Sequence, residues 1–135
     1  MRVLLDSNVL IAALITQGVC ADLFDHCVRQ HQIVASQFIL KEVEGHLRKK
    51  FRFSEAEVYE AMDLLQGVIH LIEPVSLKEP ICRDLNDDII LATSLAGNVD
   101  CIVSGDKDLT DLGNFEGIPI FKPSEFTAFE TRNQK

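Results

Sequence analysis

Four acidic groupings carry the chemistry this sequence can offer. They are Asp6, the pair Glu42 and Glu44, the cluster Asp84, Asp87 and Asp88, and the turn Gly105-Asp106-Lys107-Asp108. No Lys or Arg adjoins Asp6 or Asp88. Carboxylates that converge without a cation repel strongly at low dielectric, and a bound divalent ion removes that repulsion. Hydrolysis of a phosphodiester uses such an ion, held by oxygen ligands from separate strand and helix ends. Each grouping also has an ordinary structural reading. Asp6 can cap a following helix. Asp84, Asp87 and Asp88 precede a helix whose dipole favours negative charge, and this accounts for Asp87 best. Asp106 can cap a short helix, with Asp108 and Asp111 solvated. A helical wheel puts Ile39, Val43 and Leu47 on one face and leaves Glu42 and Glu44 flanking it on opposite sides. Periodicity therefore does not choose between the two glutamates.

The elements that must position these acids follow from the apolar pattern. Arg2-Val3-Leu4-Leu5 is a short apolar run ending in Asp6, the signature of a buried parallel strand. Further strands are expected at 32–35, 68–72, 100–104 and 117–121, the last at a sheet edge because it contains Pro119. Helices are expected at 9–15, 22–29, about 37–50 behind Ser36 as N-cap, and 55–67 behind the capping box Ser54-x-x-Glu57. Another helix opens at Asn86 or Asp87 and closes at Gly97, and a short one covers 123–129. Alternation of short apolar runs with helices predicts a three-layer α/β/α sandwich around a mostly parallel sheet of about five strands. Ligands bind beyond the carboxyl ends of such strands, so Asp6 and Asp106 should share one rim.

The chain has 135 residues, 47% hydrophobic and 25% charged, which suits one folded domain over 1–130 with a polar tail over 131–135. Thirteen Lys and Arg stand against 21 Asp and Glu, a net charge of -8, opposite in sign to a protein that wraps nucleic acid. Any polyanion must be met by bound metal or by a local basic patch. Arg48-Lys49-Lys50-Phe51-Arg52 is the one dense basic run. It can guide a phosphate backbone, or simply solvate a helix C-terminus where cations are favoured. Cys20, Cys27, Cys82 and Cys101 form no C-x-x-C pair and read as reduced thiols of a cytoplasmic protein. The longest unbroken apolar run, residues 9–15, is too short to span a membrane. His26, His31, His46 and His70 lie outside the acidic motifs and read as surface or core residues.

Taken together, Val3-Leu4-Leu5-Asp6-Ser7-Asn8, Ser36 followed by Glu42, Asp84-x-x-Asp87-Asp88-Ile89-Ile90-Leu91-Ala92 and Val103-Ser104-Gly105-Asp106-Lys107-Asp108-Leu109 resemble the PIN-domain nucleases, in order and spacing. The resemblance spans about residues 2–126 and points to the compact VapC-type group. It implies that Asp6, Glu42, Asp88 and Asp106 are the catalytic acids. Those four, with Asp84 and Asp108, would hold one or two magnesium or manganese ions. Asn8, a polar helper, and Ser104, which keeps a hydroxyl where Thr is common, would position substrate. Arg48 and Lys49 would position substrate. The implied activity is hydrolysis of single-stranded RNA by metal-activated water. The implied setting is the toxin of a type II toxin–antitoxin pair, with a small antitoxin partner and a homodimer.

Two other readings compete. A haloacid-dehalogenase-like aspartyl-phosphate phosphatase also begins with a strand ending in Asp and has a late Gly-Asp motif. That chemistry needs an acid two residues after the nucleophile, where this chain has Asn8. A non-catalytic PIN-like binding module would be expected to have lost acids, yet all four matched positions keep theirs.

Overall fold

The computed structural model describes residues 1–77 and 79–133. In chain order the elements are β1 (Arg2–Leu5), α1 (Ser7–Ile15), α2 (Val19–Gln30), β2 (Gln32–Ala35), α3 (Gln37–Lys49), α4 (Glu55–Val68), β3 (Ile69–Leu71), α5 (Leu85–Ala96), β4 (Cys101–Val103), α6 (Lys107–Leu112), β5 (Asn114–Phe115), β6 (Ile118–Phe121), a 3-10 turn (Pro123–Glu125) and α7 (Phe126–Asn133).

Strand order is β3-β2-β1-β4-β6-β5, and every pairing is parallel except β5 with β6. The last three residues of β1 and β2 and all of β4 are buried, so both sheet faces are covered, as the three-layer α/β/α expectation requires. Right-handed crossovers account for the two layers. The chain steps from β1 through β2 to β3, then returns through α5 to place β4 on the free side of β1, and the right-handed rule assigns α1–α4 to one face and α5 to the other. The direction of winding therefore reverses between β1 and β4. A crevice opens at their carboxyl ends, and Asp6 stands on one lip with Ser104 on the other.

The sheet has six described strands rather than about five, and the strand at 118–121 is not at the edge. A two-residue strand, β5, folds back through Glu116-Gly117 and pairs Asn114 with Pro119 and Phe115 with Ile118. Pro119 is tolerated because the ladder to β4 begins only at Ile120, so its missing N–H removes no bond there. Gly117 adopts φ +86° in that tight return.

Caps set several boundaries more sharply than periodicity could. Asp6 Oδ1 accepts from the Val9 amide at 3.1 Å, so α1 begins at Ser7, two residues before the apolar run. Asp84 Oδ1 accepts from the Asn86 amide at 2.9 Å and starts α5 at Leu85. Ser36 and the Ser54/Glu57 box cap α3 and α4 as the sequence suggests. Within the expected tail at 131–135, residues 131–133 are helical: α7 continues to Asn133, whose side chain donates to the Phe129 carbonyl, while 134 and 135 lie outside the described residues. Gly97 closes α5 where a Cβ would lie 2.9 Å from Val34 Cγ1, so the helix end can approach β2 only without a side chain.

Candidate metal centre

Asp6 ends the central strand and is almost fully buried. One carboxylate oxygen caps α1, and the other accepts a very short hydrogen bond from Ser104 Oγ. Ser104 is itself fully buried just past β4. Its hydroxyl oxygen accepts from the Asp106 amide at 2.9 Å. Asp106 in turn caps α6, its Oδ1 accepting from the Asp108 amide at 2.8 Å. One serine, 98 positions after Asp6, thus ties the first and last acidic motifs together. Ser104 touches no solvent, so the structure makes it a positioning group for two acids rather than a contact for substrate.

Glu42 arrives from α3 and accepts from Ser7 Oγ at 3.2 Å. Glu44 turns the other way, to Arg48 at 3.2 Å. The choice between the two glutamates, open in the helical wheel, is made by how α3 docks on α1. Asp6, Glu42, Asp84, Asp87 and Asp106 line one cavity of about 130 Å³, rimmed by Asn8 and Asn86. No Lys or Arg lines it, among the described residues.

The third acid is placed differently from expectation. Asp88 turns away from the cavity. Its carboxylate accepts from the Cys82 amide at 2.8 Å and the Ile81 amide at 3.1 Å, anchoring the segment that leads into α5. Asp87 faces the cavity instead. It is buried, and its Oδ2 has no hydrogen-bond partner. Burial, then the charges of Asp106, Asp84, Asp108 and Asp6, push its carboxyl up to about 6. Burial likewise raises Asp6, with the Ser104 and Val9 hydrogen bonds opposing and the Asp106 charge adding. Ligand oxygens of Asp87, Asp106 and Asp108 lie within 4.8 Å of one another. Asp108 sits at the outer rim, paired with Arg83 at 2.7 Å.

The basic run does not reach the cavity. Arg48 is held by Glu55 at 2.7 Å and by Glu44, and Lys49 is exposed at the end of α3. His46, by contrast, lines the acidic cavity one turn after Glu42. The signal for it was its i,i+4 spacing from Glu42 on α3.

An orphaned buried carboxylate oxygen among four further acids fits a hard divalent cation. The donor set is all oxygen, as magnesium and manganese prefer. The pH response of the metal-free fold tests this electrostatic picture. Unfolded Asp titrates near 3.9, so ionised Asp87 is penalised only in the fold. Metal-free stability should therefore rise by about 1 kcal/mol from pH 7 to pH 5. Below about pH 4.5 it should fall again, as Glu55, Glu57 and Glu130, whose carboxyls are held low, become protonated. Thermal melts in chelator should show the rise in the parent and lack it in Asp87→Asn. Saturating magnesium should suppress it, because the ion then stabilises the charged form.

Residues 2–108 match the family model for the PIN domain. A chain in the crystal structure of VapBC2 from Rickettsia felis bound to a DNA fragment from their promoter superposes with a TM-score of 0.64 at 14% identity. The match covers 89% of this chain and 97% of that one. No curated protein is significantly similar in sequence. The family match spans most of the chain and every acidic motif, and the shared fold agrees with it: the chain belongs to the PIN domain family.

Proposed function

We propose that this chain is a divalent-metal-dependent endoribonuclease that hydrolyses phosphodiester bonds of single-stranded RNA. The observation that carries the reading is Asp87 Oδ2, buried without a partner on a residue that lines one cavity with Asp6, Glu42, Asp84 and Asp106. PIN domains are generally nucleases that use divalent ions, and this donor set suits magnesium or manganese. Asp6, Glu42, Asp87 and Asp106 would hold one or two ions, with Asp84 and Asp108 at the rim. When bound, the cation supplies charge neutralisation at phosphorus and acidification of the attacking water.

The chain's own residues set the geometry. Ser104 orients Asp6 and Asp106, Ser7 orients Glu42, and Asn8 presents an amide at the open rim. Asp88 holds the 81–82 backbone and so fixes where α5 begins. The net charge of -8 repels RNA, which makes the cation the main attraction for the phosphate. The fold shared with a chain of the VapBC2 complex supports a toxin role with a small antitoxin partner, and a homodimer belongs to the same reading. Four free cysteines are in keeping with a cytoplasmic protein. One nuclease unit over 1–130 completes the proposal.

The test is a labelled single-stranded RNA incubated with purified protein. Cleavage should vanish in EDTA and return with excess magnesium or manganese. Equal cleavage with and without chelator would exclude metal-assisted hydrolysis.

A further inference from the structure

At the opposite end of the sheet lies a cluster that the acidic cavity does not use. His26 on α2, His31 just before β2, and Glu130 on α7 bring their ligand atoms within 4.8 Å of one another. His26 Nε2 is 2.7 Å from Glu130 Oε2, and His31 Nε2 meets the same oxygen in a very short contact. Both imidazoles therefore aim one nitrogen at a single carboxylate. The His31 and Glu130 side chains are 10% and 14% exposed, whereas His26 is 43% exposed and forms the solvent side. Phe126 stands edge-on to both rings, at 6.3 and 5.8 Å, and walls the cluster from the core. Asp22, one turn before His26, lines the same groove. His31 and Met1 sit at the amino ends of the strands, whereas Asp6 lies at the carboxyl end of β1, so the two clusters occupy different rims.

We propose that His26, His31 and Glu130 form a second cation site, for a dication of the zinc class, that clasps α7 to α2. Two imidazole nitrogens and one carboxylate oxygen are a borderline-soft set that suits zinc, cobalt or nickel and not magnesium. Three protein ligands leave a fourth position open towards the groove, where Asp22 or water completes a tetrahedron. Zinc bonds of about 2.0–2.1 Å hold ligand atoms about 3.3 Å apart, so loading widens the His26–Glu130 separation by about half an ångström. The shorter His31–Glu130 contact must open further still, so the Glu130 side chain shifts on α7 together with the exposed His26 ring. Coordination through Nε2 places the remaining His31 proton on Nδ1. The clasp has a purpose in the fold. The eight-residue α7 is too short to persist alone and docks through Phe126 and Phe129. A metal joining Glu130 to two groups on the domain body adds a strong third tie.

The test is titration of the full chain with zinc, and separately with cobalt(II), in excess magnesium to fill the acidic cavity. One equivalent of zinc should bind in the micromolar range or tighter, and cobalt should show the intense visible band of a four-coordinate site. His26→Ala, at an exposed position that the fold tolerates, should weaken zinc by more than about tenfold and remove the band. Glu130→Gln should do the same. Asp6→Asn combined with Asp87→Asn should leave both signals intact. The proposal fails if zinc is not taken up at micromolar concentration. It fails equally if uptake survives His26→Ala and Glu130→Gln, or disappears with the acidic-cavity variant instead.

Discussion

Asp6→Asn should reduce divalent-dependent RNA cleavage by about a thousandfold or more, while the purified variant melts no lower than the parent in chelator. The substitution is nearly isosteric. Its amide oxygen can still accept from the Val9 N–H, and Asn is as good an N-cap as Asp, so α1 keeps its start. What disappears is a negative charge at the carboxyl end of the central strand, where burial already raises the Asp6 carboxyl, and the acceptor for the Ser104 hydroxyl, whose oxygen must then accept from the new amide, a loss that the relieved charge offsets. In the metal-free state that charge is a burden, because it is desolvated and faces Asp106. With a cation present it is a ligand. Activity and metal-free stability should therefore move in opposite directions, which a residue needed only for packing would not produce. The paired measurements are initial cleavage rates in magnesium and thermal melts in EDTA. A variant that cuts at the parental rate would show that Asp6 is a helix cap and nothing more.

The neighbouring acids of α5 should separate just as sharply. Asp87→Asn is expected to abolish manganese binding in a calorimetric titration and raise metal-free stability, since it removes the carboxylate whose Oδ2 is buried without a partner. Asp88→Asn is expected to leave manganese affinity within a few-fold of the parent and lower stability by about 1–3 kcal/mol. The reason is geometric. The Asp88 carboxylate accepts from two consecutive amides, Ile81 and Cys82, and a neutral amide oxygen cannot serve both as well. Released, the 81–84 segment would no longer hold Asp84 and the start of α5 in place. The reverse pattern, with manganese binding lost in Asp88→Asn and kept in Asp87→Asn, would return the ligand role to Asp88.

The PIN resemblance pointed to Asp88 as the third acid, and the helix-dipole reading set Asp87 aside. Both readings were blind to one fact. Residues 87 and 88 are successive positions in the first turn of α5, about 100° apart around its axis. Which of them meets Asp6 depends on the rotation of that helix as it docks on the sheet, and no local pattern encodes a rotation. The surroundings of the basic run, left open between guiding a phosphate and solvating a helix end, were likewise not encoded locally. The charges are visible in the chain, but Arg48 is occupied by Glu55 from the next helix. The histidines of the second cluster were invisible as a set, because 99 residues separate His31 from Glu130. β5 escaped because two residues are too few to show an alternation.

Much else was readable directly. Apolar runs marked β1, β2 and β4, because a strand buried on both faces leaves no room for polar side chains, while the edge strand β3 showed only as an apolar run interrupted by His70. Ser36 and Ser54 marked helix starts, because a cap is a contact between residues three apart. Alternating strand and helix, with right-handed crossovers, required a parallel sheet with its acids on the carboxyl rim, and Asp6 and Asp106 are found there. The chain's order of residues thus dictated the elements, their caps and the rim. Side-chain aim within that rim, Asp87 inward and Asp88 outward, Glu42 inward and Glu44 outward, was settled by docking. Caps and periodicity act over a turn or two of backbone, whereas the facing of a helix is a property of the surface it lands on.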